Sequence, residues 1–178
     1  MTHHISTTDT AALLRADLKT AWPGVKFSVR KSTGTGSAWI HIRYTDGPTS
    51  NTLRTFTDNY QGRQFNGMTD SYDDRGTLLL MTAGEELPEE VRFSCDGINN
   101  QRYYSPAAYL HAQHILDETG HSDIRVCTES GEPITDGPVP PMVVLPGRVY
   151  DYLYSPAGLA ERILSDIDLS TITTGEAR

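Results

Sequence analysis

Apolar residues recur at helical spacing in two stretches near the start of the chain. Residues 9–21 form the first stretch, and Thr8 or Asp9 is a suitable N-cap because its side-chain oxygen can accept a free backbone N–H. Residues 49–60 form the second stretch, and Gly62 follows it as a helix stop. The spacing therefore predicts one helix over 9–21 and another over 49–60.

Three other stretches favour β-strands. Residues 25–30 and 37–44 alternate between apolar and polar side chains, and the short glycine-rich stretch between them predicts an antiparallel hairpin. Residues 77–82 form an apolar run that predicts a buried strand. We expect these three strands in one antiparallel sheet with both helices on one face. Residues 65–76 predict a loop in which Phe65 and Met68, hydrophobic residues of the exposed type, stand among polar ones.

The second half of the chain contains two further helix starts, each a serine followed by a proline. Ser105 and Ser155 precede stretches of helical spacing. Proline suits the first helical position because the N–H that it lacks would have no hydrogen-bond partner within the helix there. Five prolines in residues 130–148 predict a stiff, extended surface segment. The element order predicts an α+β protein, with a mostly antiparallel sheet and helices packed on one face. We expect one domain over 1–128 and an appended segment over 129–178.

Charge is distributed unevenly along the chain. Residues 1–89 hold nine Lys+Arg against ten Asp+Glu, and residues 90–178 hold six against thirteen, so that −1 and −7 sum to −8. Binding of a nucleic-acid duplex by phosphate neutralisation needs the opposite sign, so we expect no direct duplex binding. The acidic second half favours a partner with a basic surface, or serves solubility alone.

No stretch of the sequence suggests a membrane segment or a secretion signal. The longest apolar run, around LLLM at 78–81, is far shorter than the roughly 20 residues that a membrane helix needs. The first residues lack a basic start followed by an apolar stretch. We therefore expect no membrane partner and a cytoplasmic protein, in which Cys95 and Cys127 are reduced thiols.

Two groups of side chains have the chemistry of metal ligands without a complete set. In the first, two histidines and a glutamate share one face of a predicted helix. In the second, three aspartates lie close together in the predicted loop, but their spacing matches no calcium loop. The first group is His111, His114 and Glu118, and the second is Asp70, Asp73 and Asp74. We expect neither group to hold a metal, and the sequence indicates no cofactor.

Tyrosine is concentrated in the second half of the chain. Large, rigid and amphipathic side chains of this kind are favoured at protein interfaces, and they also pack helices against sheets. Both roles stay open for this group. Its members are Tyr103, Tyr104, Tyr109, Tyr150, Tyr152 and Tyr154.

Three stretches of the first half resemble the large polyvalent protein-associated domains. These are small domains of the very long multi-domain proteins of phages and conjugative elements. The stretches are LKTAWPGVKFSVR at 18–30, TDGPT at 45–49 and FNGMTDS at 65–71. The resemblance spans residues 13–104 and implies an origin in a mobile element. It implies no particular reaction, and Asn66 stands where such domains often carry an acidic residue.

The two family-like loops are the candidate contact sites for a partner. Their residues are Asp46, Gly47, Pro48 and Thr49 in the first loop, and Phe65, Met68 and Asp70 in the second. We expect the loops to lie close together, with Phe65 or Met68 covering apolar surface between them.

The sequence favours a non-enzymatic function without a catalytic residue. The leading hypothesis is a protein-binding module of a phage or mobile element that inhibits a host defence system. Its partner would be a host or element-encoded protein with a basic surface. Two alternatives remain open: an enzyme of unknown reaction with a site around Asp46, Thr49 and Asp70, and a structural or accessory protein of the element.

Overall fold

The computed structural model describes residues 2–34, 38–81 and 87–171. Its helices are α1 (Thr7–Ala21), α2 (Ser50–Thr57), α3 (Pro106–Glu118) and α4 (Pro156–Ser165), with a 3₁₀ turn at Asp58–Tyr60. Its strands are β1 (His3–Ile5), β2 (Ser28–Lys31), β3 (Trp39–Thr45), β4 (Arg63–Asn66), β5 (Ser71–Asp74), β6 (Leu78–Leu80), β7 (Glu89–Phe93), β8 (Gly97–Tyr103), β9 (Met142–Leu145) and β10 (Arg148–Asp151). The protein is α+β with small, mostly antiparallel sheets, as the sequence predicts.

The chain divides into two compact units. Unit 1 comprises residues up to 44 together with 51–101, and unit 2 comprises residues 45–50 together with those from 102 onward. Unit 2 is therefore discontinuous in sequence, because a short piece of it is inserted between two parts of unit 1. The domain boundary expected at residue 128 stays a prediction.

The core of unit 1 forms between one sheet and helices α1 and α2. Strands β2 and β3 pair antiparallel, with Val29 opposite Ile42, and β8 lies on the other side of β3. Alternate residues of β3 point inward, which buries Ile40 and Ile42 completely. Leu14 and Leu18 of α1 and Leu53 of α2 pack in the same core, as their helical spacing predicts.

The third strand of this sheet differs from the predicted one. The sequence places 77–82 beside 25–30 and 37–44, but the strand that joins β3 is β8. Strand β6 lies in a different sheet, of order β1-β7-β6, in which β1 and β7 are parallel. Moreover, Leu79 is 73% exposed, because β6 is an edge strand with few neighbours. An apolar run predicts a strand but does not reveal which strand it pairs with.

Helix boundaries in unit 1 also depart slightly from the predictions. Ser6 caps α1, with its hydroxyl accepting from the Asp9 N–H at 3.2 Å, so the helix begins before the predicted caps Thr8 and Asp9. The predicted helix over 49–60 is present as α2 and the 3₁₀ turn. That turn ends at Tyr60 with Gln61 as its C-cap, so Gly62 has a role other than the predicted helix stop.

Unit 2 has a core of its own between α3, α4 and the β9–β10 hairpin. Ser105 and Ser155 cap the two helices and a proline follows each, as predicted. The prediction of an extended surface segment over 130–148 is wrong for the last part of that range. Residues from Met142 onward form a strand, and alternation along it buries Val143 and Leu145 in the core.

The two cysteines are free and buried, one in each unit. Burial raises the pKa of the Cys95 thiol from 9.0 to about 11 and also raises the pKa of the Cys127 thiol. Since the thiolate is the nucleophile, we expect neither thiol to react with an aromatic disulfide reagent at about pH 8 while the protein is folded. Both should react at once in denaturant. A fast-reacting equivalent in the native protein would contradict the burial of these side chains.

Candidate functional site

The first family-like loop is a tight corner inside unit 2. Asp46 adopts a left-handed backbone conformation with φ of 57° and is only 2% exposed. Its N–H donates to the Tyr103 carbonyl at 2.8 Å, and its Oδ1 accepts from the Ser105 N–H at 2.9 Å. Asp46 therefore joins the corner to the segment that immediately precedes α3. Its other carboxylate oxygen, Oδ2, is buried without a hydrogen-bond partner in the described chain.

Arg102 also holds this corner in place. Its guanidinium donates to the carbonyls of Asp46, Gly47, Leu164 and Ile167 over distances of 2.8–3.0 Å. It also lies over the Tyr104 ring, 5.1 Å from the centroid. The planar, five-donor guanidinium suits this position because one side chain must satisfy four carbonyls at once.

The corner is therefore an internal joint of unit 2. The Leu169 N–H donates to the Gly47 carbonyl at 2.8 Å, so the end of the described chain is held there as well. Asp46, Gly47 and Pro48 are buried and Thr49 is half-buried. The free chain consequently presents little of this loop to a partner, and the role of these four residues in partner contact stays a prediction.

The second family-like loop is an exposed hairpin in unit 1, where the sequence predicts a loop over 65–76. Strands β4 and β5 pair antiparallel, with Phe65 opposite Tyr72. Asn66 forms the turn: its Oδ1 accepts from the Met68 N–H at 3.0 Å, and its amide donates to Asp73 at 2.8 Å. An amide can do both, and an acid at this position could not donate.

Apolar side chains on this hairpin face outward. Phe65 is 53% exposed and Met68 is 96% exposed, so the prediction that they cover apolar surface is wrong for this chain on its own. Asp70 is also exposed, with φ of 48°. No residue of β4 or β5 is buried. The hairpin thus contributes nothing to a core while carrying large apolar groups.

The base of the hairpin is attached firmly to the rest of unit 1. The Gly62 N–H donates to the Cys95 carbonyl at 2.8 Å, and its carbonyl accepts from the Arg75 N–H at 2.9 Å. A Cβ on Gly62 would overlap the Phe93 carbonyl oxygen, so only glycine allows this approach. Arg92 pairs with Asp74 across the base. The hairpin is therefore held at its base and free at its tip.

The predicted site residues fall in both units. Asp46, Gly47, Pro48 and Thr49 belong to unit 2, whereas Phe65, Met68 and Asp70 belong to unit 1. The proximity of the two loops stays a prediction. Within unit 1, the Phe65 and Tyr72 rings lie 5.4 Å apart and the Tyr72 and Trp39 rings 6.3 Å apart. The sequence prediction of this surface lacks Tyr72 and Trp39. Alternation with the buried Ile40 is a usable signal for Trp39, but no residue of β5 is buried, so no such signal exists for Tyr72.

The two groups of candidate metal ligands are the next side chains to consider. His114 pairs with Glu118 at 3.2 Å on the exposed face of α3. Among the residues that the structure describes, no group of three or more His, Cys, Asp or Glu side chains is arranged to hold a metal.

The tyrosines of the second half differ in burial. Tyr109 and Tyr150 are buried in the core of unit 2. Burial raises the pKa of Tyr109, and the hydrogen bond that its hydroxyl donates to Glu161 at 2.9 Å adds to this. Tyr152 and Tyr154 are 77% and 91% exposed. Only the exposed members are available for contact with a partner.

The family model described as large polyvalent protein associated domain 29 (LPD29) matches residues 5–105, which is more than half of the sequence. The chain belongs to this family. No curated protein and no solved structure matches. The LPD29 match includes all of α1 and both family-like loops, and it stops at Ser105, immediately before α3.

LPD29 membership agrees with the resemblance in the sequence, which spans residues 13–104. The large polyvalent domains are associated with the polyvalent proteins of phages, so the protein has a phage or mobile-element context. The helices α3 and α4 and the β9–β10 hairpin lie beyond the LPD29 match. Within the described ranges, no helix is both long and apolar enough to cross a membrane.

Proposed function

We propose that this LPD29 protein is a non-enzymatic protein-binding module and that it contacts its partner through the tip of the β4–β5 hairpin. The observation that supports this is the outward position of Phe65 and Met68 on a hairpin without a buried residue. Methionine and aromatic residues are enriched at the centres of protein interfaces. Exposed apolar groups on a firmly attached projection are therefore well suited to insertion into a partner's surface.

The hairpin has little value for folding in this chain. A two-stranded hairpin is marginal by itself, and packing of its side chains normally stabilises it. Here the stabilising contacts are at the base, around Gly62 and Asp74, and the tip makes none of comparable size. A tip that only had to close a turn would be expected to carry polar residues. Met68 at this position instead favours burial against another molecule.

The charge around the tip favours a partner with a basic surface. Asp70 and Asp73 lie within a few residues of Met68, and neither forms an ion pair in the described part of the chain. An apolar contact with a carboxylate rim is complementary to a basic protein surface, and the charges would raise the rate of association. In its mobile-element context, the module would act on a host or element-encoded protein in the bacterial cytoplasm, and inhibition of a host defence system is the proposed outcome.

The enzymatic alternative has less support. It requires Asp46, Thr49 and Asp70 to act on one substrate, but Asp46 is 2% exposed and occupied in holding Ser105. The alternative of a structural or accessory protein makes a different prediction. Under that alternative, the chain binds another element-encoded protein and has no effect on host defence.

Replacement of Met68 by serine should abolish partner capture and leave the fold unchanged. The side chain is 96% exposed, so its removal costs the free protein almost nothing. At the centre of an interface, the same change should weaken binding about 30-fold or more. The measurement is affinity capture from a bacterial lysate on immobilised protein, with circular dichroism and the melting temperature of each variant as the check on folding.

The matched control is Leu79→Ser, which removes an exposed apolar side chain elsewhere in unit 1. The Leu79→Ser variant should still capture a specific partner, and the Met68→Ser variant should not. Equal loss with both variants would mean non-specific apolar adhesion and would refute the proposed site. For the defence role, expression of the wild-type chain should raise phage plating on strains that carry the targeted system, and Met68→Ser should not.

A further inference from the structure

The outer face of the β2-β3-β8 sheet carries positive charge in an acidic protein. Its three strands contain no aspartate or glutamate, although the whole chain has 23 acidic residues and a net charge of −8. Arg30 and Arg43 lie on the outer face of β2 and β3, and Lys31 lies at the end of β2 and borders a cavity on that face; all three are exposed. None of the three forms an ion pair within the described residues. These cations are therefore available to a ligand.

The cations surround a cavity of about 310 Å³. Pairing of β2 with β3 places Arg30 beside His41 and Ser28 beside Arg43. The Ser32 hydroxyl lies 2.7 Å from the Nε2 of His41 and orients its ring. Lys31 and Thr33 complete the lining, which among the described residues consists of cations, hydroxyls and an imidazole without an acidic group. Such a lining matches the oxygens of a phosphate group.

An aromatic residue extends the same face. Trp39 lies two residues before His41 on β3 and points to the same side of the sheet. Its six-membered ring lies against Gly97 of β8, where a Cβ would overlap it. Trp39 also lines a second cavity, of about 450 Å³, whose other residues include Tyr72, Asn99 and Arg54 and one acidic residue, Asp58. The face thus offers cations for a charged backbone and, next to them, aromatic rings and planar amides.

We propose that this face binds a single-stranded nucleic acid. The phosphodiester backbone would lie over Arg30, Lys31 and Arg43, and a base would contact the Trp39–Tyr72 rings. The cations lie outside the hairpin tip, whereas Phe65 also lines the cavity at Trp39 and Tyr72, so the two proposed surfaces adjoin. The inference rests on the cations and on Trp39 and does not depend on the proposed protein-binding function. An acidic peptide would satisfy the cations but would make no use of the rings and amides. A duplex would hide its bases from them.

The direct test is fluorescence anisotropy of a labelled oligothymidylate titrated with the whole protein. Three phosphate contacts on a single strand predict a slope of about −2 for log affinity against log salt concentration. Affinity should therefore fall about 20-fold between about 50 and 200 mM salt. A duplex of the same length and an oligoglutamate peptide serve as competitors. If either competes as well as unlabelled oligothymidylate, the assignment to a single strand is wrong.

Charge removal at the face should weaken binding, and equal charge removal elsewhere should not. We expect Arg30→Gln with Arg43→Gln to lower affinity about tenfold at low salt and to bring the slope near −0.7. The control is Lys19→Gln with Lys26→Gln, two exposed lysines outside the cavity. Equal weakening by both double variants would indicate general electrostatic attraction and would refute a site on the sheet.

The role of Trp39 has its own readout. The chain contains two tryptophans, and Trp22 packs against Phe27 and Phe56 in the core of unit 1. In a Trp22→Phe background, all tryptophan fluorescence comes from Trp39. Oligothymidylate should quench it in saturable fashion, and inorganic phosphate should not. Phosphate quenching equal to that by the oligonucleotide, or no quenching at saturation, would overturn the proposed base contact.

Discussion

Replacing Arg102 by methionine should lower the free energy of unfolding by about 4 kcal/mol or more. The guanidinium donates four hydrogen bonds to main-chain carbonyls of unit 2, and methionine fills similar space without a donor. Each lost bond contributes roughly 1 kcal/mol, and carbonyls left without a partner add to the cost. The melting temperature should fall by about 10 °C for a chain of this size.

Two further variants identify the cause of that loss. Arg102→Lys keeps the charge but cannot reach four carbonyls, so it should recover less than half of the lost stability. Arg148→Met removes an exposed arginine whose pairing with Asp166, at 3.4 Å, is also in unit 2, and it should cost less than about 1 kcal/mol. If Arg102→Met lowered the free energy of unfolding no more than Arg148→Met, the hydrogen bonds of Arg102 would not hold the Asp46-Gly47 corner.

Replacing Gly62 by alanine should cost about 3 kcal/mol and also disturb the hairpin. The added Cβ would overlap the Phe93 carbonyl oxygen, and main chain cannot move aside as a flexible side chain can. The hydrogen bonds of Gly62 to Cys95 and Arg75 would be displaced with it. Thermal unfolding measures the stability, and partner capture through Met68 should weaken as the hairpin base shifts.

The matched control for this change is Gly67→Ala at the turn of the same hairpin. The nearest atom to a Cβ at Gly67 is a Phe65 ring carbon at 3.9 Å, which is an ordinary contact. We therefore expect a change within about 0.5 kcal/mol. Equal stability of the two alanine variants would show that the approach of Gly62 to Phe93 is not needed.

Local features of this fold could be predicted from the sequence, and pairings over long distances in the chain could not. Ser105-Pro106 and Ser155-Pro156 start helices because the cap and the first turn lie within a few residues of each other. The β2–β3 hairpin is equally local. The choice of β8 over β6 as the partner of β3 depends on residues far apart in sequence, and both candidates have the composition of a strand.

The candidate site shows the same division. The turn at Asp46-Gly47 follows from residue types, but its burial depends on Leu164, Ile167 and Leu169 near the far end of the described chain. Arg102 gives no local sign that it will bind four carbonyls. Gly62 was expected to stop a helix, whereas the structure requires it for the approach to Phe93. In each case the deciding contact is tertiary.

The insertion of residues 45–50 in unit 2 has a consequence for synthesis on the ribosome. The Asp46-Gly47 corner leaves the exit tunnel long before Leu164–Leu169, the segment that completes its hydrogen bonds. In the meantime the carbonyls of the corner must be hydrated. Closure of unit 2 is therefore a late, non-local step of the kind that slows folding, and it gives chaperones their longest opportunity to bind the nascent chain.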